Sequence, residues 1–288
     1  MSFVAGPVTV RTPASSANLG PGFDALGLAL TLYDEVTAEV TPSGLEISVS
    51  GEGADGVPLD ESHLVVRAMN ATFDALGTRP SGLRLACANE IPHGRGLGSS
   101  AAAIVAGVVL ARALTEGGEV DELQLAAELE GHPDNVAAAM FGGLTIAWLE
   151  GASARVARID ADVEVTAFIP SDAVSTEKAR GLLPESVPHA DAAANAGRAA
   201  LLVRAFSGAP ELLLAATEDR LHQSYRSSAM PASYALMSSL REDGIAATIS
   251  GAGPTVLAFS RGLADRLPDG WTMRELGVDA EGAHIAVT

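Results

Sequence analysis

The chain has 288 residues and a formal net charge of −18, from 36 Asp and Glu against 18 Lys and Arg. That balance argues against a nucleic-acid surface, though not against one phosphorylated ligand held by local amides, a few arginines and a cation. Hydrophobic residues reach 48% and aromatic ones only 4%, so a sizeable core must come from Ala, Val, Leu and Ile, in one large domain or two intimate ones. The lone cysteine, Cys87, excludes an internal disulfide and a Cys-based metal cluster. With no signal-like N-terminus and no apolar run of membrane-spanning length, the expectation is a cytoplasmic protein with no membrane partner.

Val8 to Arg11 reads as a short strand. Pro13 to Leu30 holds too many glycines and prolines for a regular element, and Asn18 and Asp24 within it suit Asx turns. Leu32 to Val40 and Leu45 to Ser50 alternate as strands, and Gly51 to Asp60 is a polar loop. His63 to Leu76 is predicted helical, with His63 at its start as a surface or capping residue. Leu83 to Ala88 is the next strand, with Cys87 as a core thiol.

The stretch Ile91-Pro92-His93-Gly94-Arg95-Gly96-Leu97-Gly98-Ser99-Ser100-Ala101-Ala102-Ala103 follows. Its alternate glycines permit positive φ or close approach of a ligand, and Ser99 and Ser100 stand at the cap or first turn of a helix. From Ala101 to Leu114 the only charge is Arg112, so that helix is buried. A glycine turn at the N-terminus of a helix is an anion site, and phosphate is its usual anion. The two hydroxyls can bind phosphate oxygens or a metal. No Gly-Lys-Ser/Thr follows, so this is not a Walker loop.

Glu119 to Glu130 is predicted to form another helix, ending at Gly131. Glu130, His132, Asp134 and Asn135 then crowd together; Asp134 or Asn135 can cap the next helix, which explains one of the four. Leu144 to Leu149 is a strand, and Glu150 to Arg155 is the boundary between two halves. A strand follows around Val163 to Ile169, then a helix capped by Ser175 and Thr176 and helices over Ala192 to Phe206 and Glu211 to Asp219. Arg226 on its own reads as a solvated charge. Thr248 to Ala258 is a hairpin turning through Gly251 and Gly253, and Trp271 to Thr288 reads as a surface helix or turn and a last strand.

Pro-x-Gly-x-Gly-Leu-Gly-Ser-Ser-Ala-Ala-Ala resembles the ATP phosphate loop of the GHMP kinases, the family of galactokinase, homoserine kinase, mevalonate kinase and phosphomevalonate kinase. Pro13 to Leu30 resembles the first motif of that family, with Ser16 to Asp24 in the form similar to homoserine kinases, and Thr248 to Ala258 resembles the third. Three further segments are similar to homoserine kinases: His132 to Ala137, Ser175 to Arg180 and Asp219 to Arg226. The resemblance spans about Val8 to Ala258. It implies the two-domain α+β GHMP fold, with a ribosomal protein S5 domain 2-like N-terminal half over 1–155 and a ferredoxin-like C-terminal half over 156–288. The last strand would pack back on the first domain.

The same resemblance implies ATP and Mg²⁺ as cofactors, L-homoserine as substrate, O-phospho-L-homoserine as product, a place in threonine biosynthesis, and a homodimer. ATP would be held by Pro92, His93, Gly94, Arg95, Gly96, Leu97, Gly98, Ser99, Ser100, Ala101 and Ala102, with the adenine near Ser62 to Val65. Mg²⁺ would be held by Ser100 (or Ser99) and Glu130 (or Glu128). Homoserine would contact Asn18, Asp24, His132, Asp134, Asn135, Arg180, Arg226 and Gly253. Thr176 would lie by the reacting hydroxyl, Arg180 and Arg226 would clamp the carboxylate, and Asp134 would take the hydroxyl proton or bind the ammonium. The competing readings are a family kinase for threonine, a sugar or mevalonate, against which the paired arginines argue, and a silent nucleotide-binding regulator, against which Ser100, Glu130 and Asp134 argue.

Overall fold

The computed structural model describes residues 2–286. The chain opens with the short β1 (Ser2–Phe3), then β2 (Val8–Asn18), β3 (Gly22–Thr41), β4 (Gly44–Gly51), α1 (Leu64–Ala75), β5 (Gly82–Asn89) and α2 (Ser99–Leu114). The edge pair of β1 is β6 (Thr115–Glu116), followed by α3 (Glu122–Glu130), α4 (Pro133–Phe141), β7 (Leu144–Glu150) and β8 (Ser153–Ile159). β2, β3, β5 and β4 lie in that order in a sheet, with β7 paired to β3 and β8 to β7. β8 crosses the 155/156 division expected from the sequence and belongs to this first sheet.

The segment expected to be irregular, Pro13 to Leu30, is strand. β2 runs on to Asn18 and β3 starts at Gly22, leaving a connection through Asn18, Leu19 and Gly20 at φ of 70°, 50° and 85°. Register shifts at Pro13/Ala14 and Ala17/Asn18 absorb the residues that disturb regular pairing. The small residues answer to packing: a Cβ on Gly27 would collide with the Asp134 carbonyl of α4. α3 begins later than expected, at Glu122, because Asp121 caps it by accepting from the Gln124 amide at 3.0 Å.

The second sheet holds β9 (Val165–Ile169), β10 (Ala247–Ile249), β11 (Val256–Ala258) and β12 (Thr272–Leu276), antiparallel throughout in the order β10-β11-β9-β12. Between β9 and β10 come α5 (Thr176–Arg180), α6 (His189–Phe206), α7 (Leu213–Ala216), α8 (Gln223–Arg226) and α9 (Pro231–Glu242). β12 is an edge strand where a surface helix or turn was expected, because its pairing partner β9 lies about a hundred residues earlier in the chain. β13 (His284–Ile285) then returns to the first sheet and pairs with β2.

α1 and α2 cover the first sheet through Val66, Met69, Phe73, Leu85 and Leu110, and Gly107 lets the α2 backbone approach the Val65 carbonyl. A second cluster, with Leu28, Leu30, Ile91, Leu97, Phe206 and Leu257, joins the two sheets. Each such buried side chain contributes roughly 1.5–3 kcal/mol of transfer free energy, so this seam sets how the two sheets face each other. His63, expected at the surface or as a cap, is buried and its side chain caps nothing. Among the described residues, no helix is long and apolar enough to cross a membrane.

Candidate active site

The turn from β5 into α2 is pinned by its apolar members, Ile91 and Leu97, both buried. Gly94, Gly96 and Gly98 have φ of 66°, 77° and 72°, which only glycine adopts without strain. A Cβ on Gly98 would strike Ser15 Oγ, and one on Gly96 the Ser250 carbonyl. The carbonyls of Gly94 to Gly98 are all occupied by protein donors. Gly94 accepts from the Val174 amide, Arg95 from Thr255, Leu97 from Ser15, Gly98 from Ala102, and Gly96 from Ser250 Oγ at 2.6 Å. What is left over is the amides at the head of α2, which have no intrahelical acceptor and line the cleft. Gly98 is the N-cap, with Ser99 and Ser100 opening the first turn. The Arg95 guanidinium bonds the Pro170, Ser171 and His93 carbonyls and braces the turn against the second sheet.

Ser100 Oγ donates at 2.7 Å to Oε1 of Glu130, the last residue of α3. Burial pushes the Glu130 carboxyl up, and the bond from Ser100 pulls partly back. Glu128, the alternative, accepts from Gln124 and does not line the cleft. His132, at the N-cap of α4, places Nδ1 2.7 Å from Asp134 Oδ1, which also accepts the Asn135 amide at 2.8 Å. Asp134 therefore sits in the first turn of α4 and does not cap it. The Asp134 bond is the main cause that raises the His132 pKa, so the imidazolium is favoured there. Ser15 donates to Asn135 Oδ1 at 3.0 Å, which ties α4 to the strand beneath Gly98.

Opposite stands the β2–β3 corner. Asn18 is consumed by the fold: Oδ1 accepts the Asp24 amide at 2.9 Å and Nδ2 donates to the Gly251 carbonyl at 2.9 Å. It joins the first and third motifs and holds Asp24 at φ 53°. Arg180 forks onto Asp24 through Nη1 at 3.1 Å and Nη2 at 2.7 Å. Arg226 is 2% exposed, and its Nε has no partner among the described residues. Its Nη1 lies 3.3 Å from His222 Nδ1, while His222 Nε2 lies 2.8 Å from the Gly20 carbonyl. Burial lowers both the Arg226 and the His222 pKa.

Between the arginines lies Phe23, 5.8 Å from the Arg180 and 5.2 Å from the Arg226 guanidinium carbon. Sequence reasoning passed over Phe23, Ser15 and His222, although each stands inside or beside a motif. Thr176 opens α5 and lines the cleft from the outside, and Gly253 lines it beside Gly96. The cleft encloses about 310 Å³. It brings together Asn18, Asp24, Ser100, Glu130, His132, Asp134, Asn135, Thr176, Arg180, Arg226 and Gly253; Pro92, His93, Arg95, Leu97, Ala101 and Ala102 do not line it, and His93 lines the cavity next to it.

A second cavity of about 250 Å³ adjoins the turn through Ser99 and Ser100 and is lined by Val36, Val57, His63, Val65, Cys87 and Ala103. Cys87 is buried there, and its thiol is pushed up to about 12, so it is a wall group.

Comparison with known proteins places this geometry. The family models for the GHMP kinases N terminal domain and the GHMP kinases C terminal match residues 63–143 and 198–272. A homoserine kinase of Streptomyces avermitilis is 58% identical over 296 residues, covering 99% of this chain and 97% of the relative. One from Streptomyces coelicolor is 57% identical, covering 99% and 96%. The crystal structure of homoserine kinase from Cytophaga hutchinsonii superimposes with a TM-score of 0.85 at 27% identity, covering 99% of each chain. With such identity along nearly its whole length, the chain belongs to the homoserine kinase family of the GHMP kinases.

Proposed function

We propose that this chain transfers the γ-phosphoryl group of ATP to the side-chain hydroxyl of L-homoserine, giving ADP and O-phospho-L-homoserine, as a cytoplasmic step of threonine biosynthesis. The supporting observation is that one cleft joins a turn of free amides, the Ser100–Glu130 pair and two arginines around Phe23. Polyphosphate, a hard cation and a carboxylated amino acid thus each find matching chemistry within it.

Phosphoryl transfer needs alignment and charge neutralisation more than covalent help. The amides of Gly94 to Ser100 and the α2 N-terminus hold the phosphates. Ser100 and Glu130 suit Mg²⁺, being hard oxygens; the half-buried Glu130 carboxylate takes only a hydroxyl among the described residues, so a cation would relieve it. Bound there, Mg²⁺ would neutralise phosphate charge.

Arg226, buried with an unused Nε, takes the substrate carboxylate together with Arg180, and Asp24 takes the ammonium. Among the described residues, Asp134 bonds only through Oδ1. Its other oxygen accepts the reacting hydroxyl, while His132 and the Asn135 amide fix its orientation. Asp134 is assigned to the hydroxyl because it lines the cleft together with Glu130 and Ser100.

ADP release with ATP and Mg²⁺ on L-homoserine, L-threonine, L-serine and mevalonate tests the reading. Selective turnover of homoserine supports it; turnover of another alcohol in preference, or ATP binding with no turnover, overturns it. Asp134→Asn should lower kcat at least about 100-fold with little change in KM for homoserine.

A further inference from the structure

The segment from Asp219 to Arg226 carries a buried imidazole that the chemistry above does not use. His222, at the N-cap of α8, is fully buried, and both of its ring nitrogens are engaged. Nε2 lies 2.8 Å from the Gly20 carbonyl, and Nδ1 lies 3.3 Å from Nη1 of Arg226. A carbonyl can only accept, so the proton is on Nε2; a guanidinium N–H can only donate, so Nδ1 is the acceptor. Both contacts demand the same tautomer. The ring is well seated: Asp219 Oδ2 accepts the His222 amide at 3.1 Å, and the Phe23 ring packs 5.2 Å away, centroid to centroid. Its anchor is seated too. Gly20 has a φ of 85°, and a Cβ there would come within 2.6 Å of the Thr217 carbonyl. The next carbonyl, of Pro21, accepts from Asn195 Nδ2 at 2.8 Å.

On Arg226, Nη1 is held by His222 and, at 3.4 Å, by the Gly251 carbonyl. Nε and Nη2 make no bond among the described residues. Their N–H groups share one edge of the guanidinium, and that edge matches the two oxygens of a carboxylate. We propose that His222 is a positioning residue for the carboxylate clamp: by accepting from Nη1 it fixes the guanidinium plane and leaves the Nε–Nη2 edge to the substrate. The inference rests on the reading above that a carboxylated amino acid occupies this end of the cleft. Without the acceptor, Nη1 keeps only the Gly251 carbonyl, and the guanidinium must be ordered as the carboxylate binds, which weakens binding. Protonation of the ring is disfavoured as well. Burial is the main cause that lowers the His222 pKa; Arg226 adds to it, while Asp219, the Gly20 bond and Asp24 pull the other way.

His222→Asn and His222→Leu separate positioning from packing. The two side chains have nearly the same shape, and both give up the Gly20 bond. Only Asn sets an acceptor, its Oδ1, where Nδ1 stood. KM for homoserine should be at least about tenfold higher in His222→Leu than in His222→Asn, the loss of one hydrogen bond to a charged group, with kcat and KM for ATP alike in the two. The alcohol 3-amino-1-propanol, which is homoserine without its carboxylate, should inhibit both equally. A filler role predicts the reverse order, since a buried amide costs more than a buried alkyl group. Equal KM values for homoserine, a lower one in His222→Leu, or the same split with 3-amino-1-propanol overturns the proposal.

The tautomer is read in the wild type, independently of turnover and of how the variants fold. In ¹⁵N spectra of histidine-labelled protein, the His222 signals are those lost in His222→Asn. They should show Nε2 protonated and Nδ1 bare between about pH 6 and 8. A proton on Nδ1 in that range overturns the proposal. A wild type with this tautomer and no phosphorylation of homoserine would sink the proposed activity and leave the hold of His222 on Arg226 standing.

Discussion

Arg226 is a fully buried guanidinium held by one imidazole nitrogen, one carbonyl and the face of Phe23, with Nε left over. A planar fork can bond a carboxylate while keeping those contacts; an ammonium cannot. Arg226→Lys should therefore raise KM for homoserine about 30-fold, a loss of about 2 kcal/mol for one charged hydrogen bond, and leave KM for ATP unchanged in steady-state kinetics. Asp34, buried on β3, accepts the Glu90 and Ile91 amides and leads to a different test. Its carboxyl titrates near 6 in the fold against 3.8 in its ordinary state, so the folded chain binds that proton more tightly than the unfolded one. Its contribution to stability is whole below pH 4 and is lost as pH rises through 6, on the order of 3 kcal/mol at most. Denaturant titrations should find Asp34→Asn more stable than wild type at pH 7.5, with the gap closing by pH 4. The residues named by motif were legible in the sequence because chemistry clusters them within a few positions. Asp34 was not: in a strand it is one polar residue among alternating ones, and the amides that define it are 56 and 57 positions away.

At the scale of the element, α2 shows why a glycine turn and a buried helix were readable together. Its sequence is apolar on every face, and its cap lies in the left-handed region. Gly98 carries two constraints at once, a φ of 72° and Ser15 Oγ in the space a Cβ would take. Gly98→Ala should cost roughly 1–3 kcal/mol of stability and raise KM for ATP, because relief requires the turn to leave β2; thermal melting and ATP kinetics would both register it, and an unchanged KM would show that the turn is not organised through Gly98. The strands around it were harder to see. β2 and the start of β3 are written in Ala, Ser, Gly and Pro, a composition that signals a loop when read locally. In the fold those small residues let α2 and α4 approach the sheet, as Gly27 does under Asp134. β12 is legible only from its distant partner β9.

The two larger sheets are closed by a seam, and the chain crosses that seam twice. It leaves the first sheet after β8, near the middle of the sequence, and returns through β13, which pairs with β2 near its start. The return is fastened at Asp279, which is 6% exposed. Its Oδ1 accepts the Glu281 amide at 3.1 Å and the Gly282 amide at 2.6 Å, and its Oδ2 accepts from Tyr33 Oη at 3.0 Å. Arg158 on β8 donates to the Ala280 carbonyl beside it at 2.6 Å. Removing the carboxylate leaves two amides and a phenol short of acceptors in a nearly closed site, where each unmet group costs about 1–3 kcal/mol before relaxation or water entry. Asp279→Ala should thus lower stability by about 2–4 kcal/mol. None of these groups touches the cleft, so turnover per folded molecule at 20 °C should match wild type. A melt that drops while activity persists identifies the return as a fastening of the first sheet; parallel loss of homoserine affinity in fully folded protein would mean instead that the seam transmits strain to the site.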